Sequence, residues 1–287
     1  MTPVSYSPVR DERKAVRMAD QQAAMGNEAI AEAFVAARKA ARALPEYPGN
    51  PPLSFAQAYA IQDRAIALWG APVAGWKVGR VPPPLDEKLG TTRLCGPIFA
   101  DSLANAADRP AVAVFEGGFG AIESEFLFRL GVVEPGRLDW TLDDALATVD
   151  AVHLGFEIAS SPFPGINALG PLVTASDFGN NNGLVIGPGI VGWRDRAIDD
   201  WPVMTLIDGA PIGEGKASSF PDGSAGSLRA LLENLAARGI TPPPGVWVST
   251  GAVSGVHRIA PGQTAVAHFG DEEAIECRIV AAEPRAA

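Results

Sequence analysis

The 287-residue chain has few of the residues that build disulfide frameworks and soft-metal sites. Its two cysteines, Cys95 and Cys277, stand far apart and match no disulfide or metal-binding spacing. The three histidines, His153, His257 and His268, show no HExxH-type or paired arrangement. GxSxG, P-loop and Rossmann fingerprints are missing as well. These absences argue against Ser-His-Asp hydrolysis and against nucleotide binding.

Long apolar runs are also missing. No stretch approaches the length of a membrane span, and the first residues lack the apolar core of a signal peptide. Lys and Arg total 23 against 33 Asp and Glu, which gives a net charge of −10. This acidic balance argues against nucleic-acid partners and against anionic membranes. We therefore predict a soluble, cytoplasmic protein, in which an anionic substrate needs local positive charge from a lysine, an arginine or a metal.

The composition, 47% hydrophobic and 20% charged, is sufficient for one large domain or two modest ones. Residues 1–27 differ from the rest because they are polar and charged, with little periodicity. They predict an N-terminal extension, and an arm that packs on a neighbouring subunit is an equally good interpretation. Met18 and Met25 could serve as alternative starts.

Two helices are predicted within residues 28–75. Residues 28–44 carry apolar residues at helical spacing among strong helix formers. After a Pro/Gly-rich break, Ser54 and Gln57 fit a capping box, and the second helix is expected to run to Gly70. The first third of the chain is therefore a small helical segment that ends at a strand-like stretch, AGWKVGR.

Short apolar stretches separated by Gly, Pro, Asp and Asn predict strands through most of the remaining chain. Two helices are expected among them, one after Thr141 and one from about Ser227 to Gly239. Two hairpins are predicted, turning at residues 208–209 and near residues 270–271. Helices alternate with strands too rarely for a doubly wound parallel sheet. The predicted class is α+β with a strand-rich core.

The stretch AIESEFLFRL places Glu123 and Glu125 on the same face of a strand. Strand glutamates usually face solvent, and the spacing alone fits that interpretation. The opposite face is apolar, however, and Ala121 and Leu127 flank the glutamates, which indicates a strand inside a sheet. Buried carboxylates must be paired with a cation or bound to a metal.

Three further charged residues complete the candidate site. Glu157 lies in an apolar strand-like stretch, where an ion pair with an arginine would explain it, but three carboxylates also suit Mg²⁺ or Mn²⁺. Lys77, between apolar residues, is expected to be partly buried and to neutralise a carboxylate of the protein or of a substrate. Asp177 begins a polar, glycine-rich loop that could line a site or simply form a turn.

The order of these motifs resembles the fumarylacetoacetate hydrolase-like superfamily, and within it the branch of 2-oxopent-4-enoate hydratases and 4-oxalocrotonate decarboxylases. The resemblance covers roughly residues 28–283 and rests on the ordered stretches GWKVGR, GPIFADSL, IESEFLFRL, GFEIASS, ASDFGNNNG, IDGAPIGEG and WVSTGAVSG. It implies a mixed β-roll core, here a catalytic domain over residues 76–287, preceded by the small helical segment. It also implies a homo-oligomer.

Carried over residue by residue, the implied metal ligands are Glu123, Glu125 and Glu157, with Mg²⁺ or Mn²⁺ as the ion. Lys77 and Asp177 are the implied proton-transfer groups. The implied activity is a metal-dependent hydratase that adds water to a small, anionic 2-hydroxy-dienoate or 2-oxo-enoate acid. The alternatives are decarboxylation of a 4-oxalocrotonate-like 2-oxo diacid on the same scaffold and a non-catalytic relative that serves as a binding partner.

Departures from the family pattern bear on the substrate. No histidine lies between the lysine stretch and the Glu-x-Glu stretch, which counts against the hydrolases, whose His-Glu pair stands there. Phe178 takes the usual asparagine position of the aspartate loop, Asn182 replaces a small residue, and Arg80 replaces a small or apolar one. We assign these three residues to substrate binding, and Arg80 or Arg93 could meet a second carboxylate. Both arginines could equally be surface residues.

Overall fold

Six α-helices lie in the part of the chain that the computed structural model describes, residues 26–272 and 274–285. They are α1 over residues 26–39, α2 Phe55–Trp69, α3 Leu85–Leu89, α4 Leu142–Ala147, α5 Pro171–Ser176 and α6 Gly223–Ala237. None of these helices has the length and apolar character that crossing a bilayer requires. The predicted polar extension, residues 1–27, falls almost entirely outside the described residues.

The capping signals around α2 are largely confirmed. The Ser54 side chain accepts a hydrogen bond from the Gln57 amide, and Gly70 ends the helix in the left-handed conformation, with φ 84°. The Gln57 side chain reaches back to the amide of Leu53 instead of Ser54, so that half of the capping box is shifted by one residue. Helix α1 ends at residue 39, earlier than predicted, because Ala41 is already left-handed, with φ 48°.

The other predicted helices are present with small differences. Thr141 caps α4 by accepting a hydrogen bond from the Asp144 amide, as the sequence indicates. Helix α6 begins at Gly223, four residues before the predicted start, although its first residues are poor helix formers. The Asp199 carboxylate accepts a hydrogen bond from the Ser224 amide, so a distant side chain satisfies that end of the helix.

Within the described residues, thirteen strands form two mixed sheets. The strands are β1 Val73–Arg80, β2 Arg93–Phe99, β3 Leu103–Asn105, β4 Ala111–Val114, β5 Phe119–Leu130, β6 Val149–Ser161, β7 Asn181–Gly189, β8 Val203–Ile207, β9 Ala210–Gly215, β10 Trp247–Ser249, β11 His257–Arg258, β12 Thr264–Phe269 and β13 Ile275–Ala281. The larger sheet has the order β2-β1-β10-β5-β6-β7-β3, with β11 paired to β5. The smaller has the order β4-β13-β12-β8-β9. The boundary predicted after residue 75 falls inside β1.

The main core lies between the two sheets and fixes the orientation of β5. Ile122, Phe126 and Phe128 are buried in the same core cluster as Phe269 of the smaller sheet. The rings of Phe126 and Phe269 lie 5.5 Å apart in an edge-to-face contact. Because side chains alternate along a strand, this packing turns the glutamates of β5 to the other face of the larger sheet. Eleven of the twelve β5 residues are buried, the first ten of them without interruption, which confirms a strand inside the sheet.

Both predicted hairpins are present in the smaller sheet. Strands β8 and β9 are antiparallel and turn at Asp208 and Gly209, with φ 50° and 79°, the left-handed pair that a tight two-residue hairpin requires. Asp208 Oδ1 also accepts a hydrogen bond from the Thr264 amide, which ties this turn to β12. Strands β12 and β13 form the second hairpin, with Gly270 left-handed at its turn.

Candidate metal centre and active site

Adjacent strands of the larger sheet bring the predicted acids together. Glu123 on β5 is the direct cross-strand partner of Glu157 on β6, and Glu125 stands two positions along β5. One carboxylate oxygen from each residue lies within 4.8 Å of the other two. We call these three residues the glutamate cluster. The two acidic stretches are therefore brought together in one cluster, as the sequence predicts.

Lys77 supplies the positive charge at this cluster. It lies on β1 and is 3% exposed, with Nζ 3.2 Å from Glu157 Oε2. Nζ also donates a hydrogen bond of 3.3 Å to Asn180 Oδ1. Burial lowers the pKa of Lys77, but the carboxylates of the glutamate cluster, led by Glu157, outweigh it and raise the pKa above its ordinary value. Lys77 is therefore a cation in this environment.

Neutral donors hold two of the carboxylates in place. Glu125 Oε2 accepts hydrogen bonds from Ser249 Oγ at 2.5 Å and from the Gly251 amide at 2.7 Å. Glu157 Oε1 accepts one of 3.0 Å from Asn181 Nδ2. Glu125 Oε1 has no hydrogen-bond partner among the described residues, although it is fully buried. Glu157 Oε2 forms an ion pair with Lys77 Nζ, but the geometry of this contact is not that of a hydrogen bond.

The charge balance of the cluster fits a bound cation. Three buried carboxylates face a single ammonium, so ionisation of all three leaves negative charge without a counter-charge. Without a cation, burial raises the pKa of Glu123 to about 7 although Lys77 lowers it. Burial and the neighbouring carboxylates raise the pKa of Glu125 well above its ordinary value. Three carboxylates, one of them with an unpartnered oxygen, could hold a divalent cation that prefers hard oxygen ligands.

A cavity of about 390 Å³ opens beside the cluster. Glu123 and Lys77 form part of its wall, whereas Glu125 and Glu157 have no exposed surface. Other lining residues come from separate segments: Arg80, Leu85, Arg93, Leu94, Asn167, Thr174, Asn180, Phe220, Thr250, Gly251 and Val256. The volume suits a small-molecule ligand.

Two arginines give this cavity a basic wall. Arg80 and Arg93 are direct cross-strand partners on β1 and β2, and both line the cavity. Arg93 is buried and donates to neutral groups, among them Ser227 Oγ at 3.3 Å and the Pro221 carbonyl at 3.3 Å. Burial, together with the positive charge of Arg80, lowers the pKa of Arg93 below its ordinary value. Arg80 thus lies beside the candidate site, and its role in substrate binding stays a prediction.

Asn180, Asn167 and Thr250 are cavity residues that the sequence reasoning missed. Asn180 stands in the polar loop after Asp177, and the run of three asparagines there was the available signal. Asn180 Nδ2 donates to Asn167 Oδ1 at 3.0 Å, which leaves its own Oδ1 directed at Lys77. The sequence contains no comparable signal for Asn167, in a turn, or for Thr250, which directly follows β10.

The placement of Asp177 requires a correction. Its carboxylate does not line the cavity; it accepts hydrogen bonds from Arg38 Nε at 2.6 Å, Arg38 Nη2 at 2.9 Å and Ser161 Oγ at 2.6 Å. Both carboxylate oxygens therefore have donors, and the side chain is buried next to α1. The structure therefore does not support proton transfer by Asp177. The motif order gave its position along the chain but not the direction of its side chain.

Phe178 and Asn182 are also turned away from the cavity. Phe178 is 1% exposed and packs edge-on against Phe99 at 4.9 Å, as part of a core cluster with α1 and α2. Asn182 donates to the Ala113 carbonyl at 2.8 Å and accepts from Arg38. Both border a second cavity of about 330 Å³. The prediction that they bind substrate beside Lys77 is not supported, because three consecutive left-handed residues, 178–180, reverse the chain here.

Comparison with known proteins identifies the fold. Protein-family models and curated proteins give no match. Among solved structures, 4-oxalocrotonate decarboxylase from Pseudomonas putida G7, complexed with magnesium and adipate, has a TM-score of 0.75 at 19% identity, covering 88% of this chain and 97% of that one. Fumarylpyruvate hydrolase from Pseudomonas aeruginosa, in complex with Mn²⁺ and pyruvate, has a TM-score of 0.54 at 16% identity, covering 74% and 91%.

The chain therefore has the fold of the fumarylacetoacetate hydrolase-like superfamily, as its motifs predicted. An isomerase of 2-hydroxyhepta-2,4-diene-1,7-dioate from Mycobacterium marinum is also similar, with a TM-score of 0.50 at 18% identity over 73% of this chain and 76% of that one. Among these three structures, the decarboxylase matches the largest share of this chain. At these identities the likeness concerns the fold.

Replacing Glu125 tests whether the cluster binds a cation. We expect Mn²⁺ to raise the thermal unfolding midpoint of the unaltered protein, because a ligand at about 100 times its Kd stabilises by about 2.7 kcal/mol. Glu125→Gln should abolish this rise, since it removes a charged ligand. Glu134→Gln, at an exposed glutamate, is the control and should leave the rise intact. An equal Mn²⁺ effect in the Glu125 variant would contradict the assignment.

The effect of Mn²⁺ should also depend on pH. The pKa of Glu123 is raised from 4.5 to about 7, so its contribution to stability is present below 4.5 and lost as the pH rises through 7. A cation must displace that proton, and its affinity therefore rises with pH over the same window. We expect the Mn²⁺-induced midpoint shift to be larger at pH 8 than at pH 5.5, as measured in matched buffers. A shift that is independent of pH would contradict this.

Proposed function

We propose that the protein is a divalent-metal-dependent enzyme that acts on a small 2-oxo acid. The observation that carries the proposal is the glutamate cluster: three buried carboxylates, one ammonium and an unpartnered carboxylate oxygen beside a cavity. The proposed ligands are Glu123, Glu125 and Glu157, and the proposed ion is Mg²⁺ or Mn²⁺. A protein with no reaction to perform would have no need of this buried charge, which argues against a non-catalytic relative.

The residues around the cluster support a preorganised ligand set. Ser249 and Gly251 fix Glu125, and Asn181 fixes Glu157, so these carboxylates need not reorganise when a substrate arrives. When bound, the cation supplies Lewis-acid polarisation of a coordinated oxo acid. Lys77 lies beside the cluster at the cavity wall, and its Nζ carries a proton. We assign proton donation to this atom in place of Asp177.

Arg80 and Arg93 favour a substrate with two carboxylates. Both line the cavity, and neither forms an ion pair with a carboxylate among the described residues. A second carboxylate would be paired there by charge-assisted hydrogen bonds. The similar decarboxylase structure carries adipate, itself a diacid, together with magnesium. These observations favour decarboxylation of a 4-oxalocrotonate-like 2-oxo diacid over hydration of a monoacid.

In that reaction the carbon–carbon bond that joins the departing carboxylate to the rest of the substrate breaks, and CO₂ leaves. The electron pair remains on the conjugated oxo acid as a dienolate, which then takes a proton from Lys77 Nζ.

Hydration, the activity that the resemblance implies, is the second candidate. It is favoured by Asn167, an exposed amide that reaches the cavity next to Asn180 and could orient a water molecule. A homo-oligomer stays a prediction.

Two substrates separate these reactions. The protein loaded with Mg²⁺ or Mn²⁺ is incubated with a 2-oxohexenedioate and, in parallel, with 2-hydroxypenta-2,4-dienoate. We expect stoichiometric CO₂ from the diacid, measured together with the absorbance of both compounds. Loss of dienoate absorbance without CO₂ would make the hydratase the correct assignment. A metal-loaded protein inert toward both would overturn the proposed function.

Replacing Arg80 tests the second carboxylate. Arg80 is exposed and ends β1, so Arg80→Ala should leave folding intact. Loss of a hydrogen bond to a charged group costs about 1.5–3 kcal/mol, so we expect KM for the diacid to rise about 10- to 100-fold with a smaller change in kcat. Arg109→Ala, at another exposed arginine outside this cavity, should change neither constant. An unchanged KM in the Arg80 variant would contradict a role in substrate binding.

A further inference from the structure

Arg38 is a buried arginine that does not line the cavity beside the glutamate cluster but contacts the loop after α5 at several points. It lies near the end of α1 and is 3% exposed. Its guanidinium binds both carboxylate oxygens of Asp177, at 2.6 and 2.9 Å, in a bidentate pair. It also donates to the Asn181 carbonyl at 3.2 Å and to the Ser160 carbonyl at 3.1 Å. One side chain thus joins α1, the end of β6 and both ends of the loop.

Residues 178–180, between Asp177 and Asn181, have an unusual backbone conformation. Phe178, Gly179 and Asn180 are all left-handed, with φ 54°, 61° and 60°. Glycine adopts this conformation readily and asparagine more often than other residues do, so Phe178 is the unfavourable position. Such a run persists where the surroundings hold it. The guanidinium lies 5.0 Å from the centre of the Phe178 ring, which adds a cation–π contact to the same segment.

The opposite side of this loop makes the contacts that organise the glutamate cluster. Asn180 accepts from Lys77 Nζ at 3.3 Å, and Asn181 donates to Glu157 Oε1 at 3.0 Å. The loop backbone also approaches β2 closely, because a Cβ on Gly96 would lie 2.0 Å from the Phe178 carbonyl oxygen. Gly96 is the cross-strand partner of Lys77. The conformation of residues 178–181 therefore sets the positions of two groups at the site.

We propose that Arg38 is a positioning residue for the metal centre, acting through Asp177. The bidentate pair and the two backbone hydrogen bonds hold residues 177–181 in the conformation that delivers Asn180 to Lys77 and Asn181 to Glu157. This gives Asp177 a role that does not require contact with the substrate. The inference rests on the proposed function for its link to a cation, whereas the conformation of the loop can be tested in the metal-free protein.

Arg38→Lys and Asp177→Asn test this role while keeping the side chains similar in size. Backbone amide hydrogen exchange of peptides that cover residues 176–183 is followed in the metal-free proteins. Mn²⁺ binding is measured by titration calorimetry well below the unfolding midpoint. We expect faster exchange in this segment alone, and Mn²⁺ affinity weaker by about 10-fold or more, as found for lost supports of metal ligands. The double variant should be little worse than either single one, because both changes remove the same interaction.

Matched controls distinguish positioning from general destabilisation. Arg64→Lys alters a different ion pair of α1, the exposed pair between Glu28 and Arg64 of α2, and should change neither exchange in the loop nor Mn²⁺ affinity. Gly96→Ala pushes the loop from its other side and should reproduce the weaker Mn²⁺ binding with Arg38 intact.

Unchanged loop exchange, or unchanged Mn²⁺ affinity, in folded Arg38 and Asp177 variants would overturn the positioning role and leave the proposed function standing. Failure of the unaltered protein to bind Mn²⁺ would instead overturn the proposed function. Loop exchange in the metal-free variants would then still decide whether Arg38 holds the loop: faster exchange supports it, and unchanged exchange overturns it.

Discussion

The burial of three carboxylates against one ammonium is the constraint on which the rest of the site depends. Moving a charge from water into a protein costs several kcal/mol per ion, and a single lysine cannot compensate three carboxylates. The cluster is therefore neutralised either by protons, as the raised pKa values of Glu123 and Glu125 indicate, or by a cation. Every neutral donor around it serves to hold oxygens that would otherwise repel one another.

The sheet makes this arrangement possible because one of its faces packs in the core and the other carries the glutamate cluster. One face of β5 packs aromatic rings against the smaller sheet, and that packing fixes the strand. The other face then presents Glu123 and Glu125 with little freedom, next to Glu157 on β6. The loop that precedes β7 repeats this division on a smaller scale, since Phe178 enters the core while Asn180 faces Lys77.

Periodicity along single strands was sufficient to predict much of this structure. The alternation around Glu123, the apolar stretch of Glu157 and the turn at residues 208–209 are local signals, and the structure confirms the elements they predict. Helices α3 and α5 went unpredicted because five or six residues show no clear helical period. The directions of Asp177 and Asn182 depend on the left-handed run between them and on Arg38, 139 positions from Asp177, which no local pattern contains.

The supports of the glutamate cluster come from widely separated parts of the chain. Glu157 is held by Asn181, whereas Glu125 is held by Ser249 and the Gly251 amide, which follow more than a hundred residues later. During synthesis, β5 and β6 leave the ribosome long before the segment that fixes Glu125. The growing chain therefore carries its acids without their full set of partners until residue 251 has emerged.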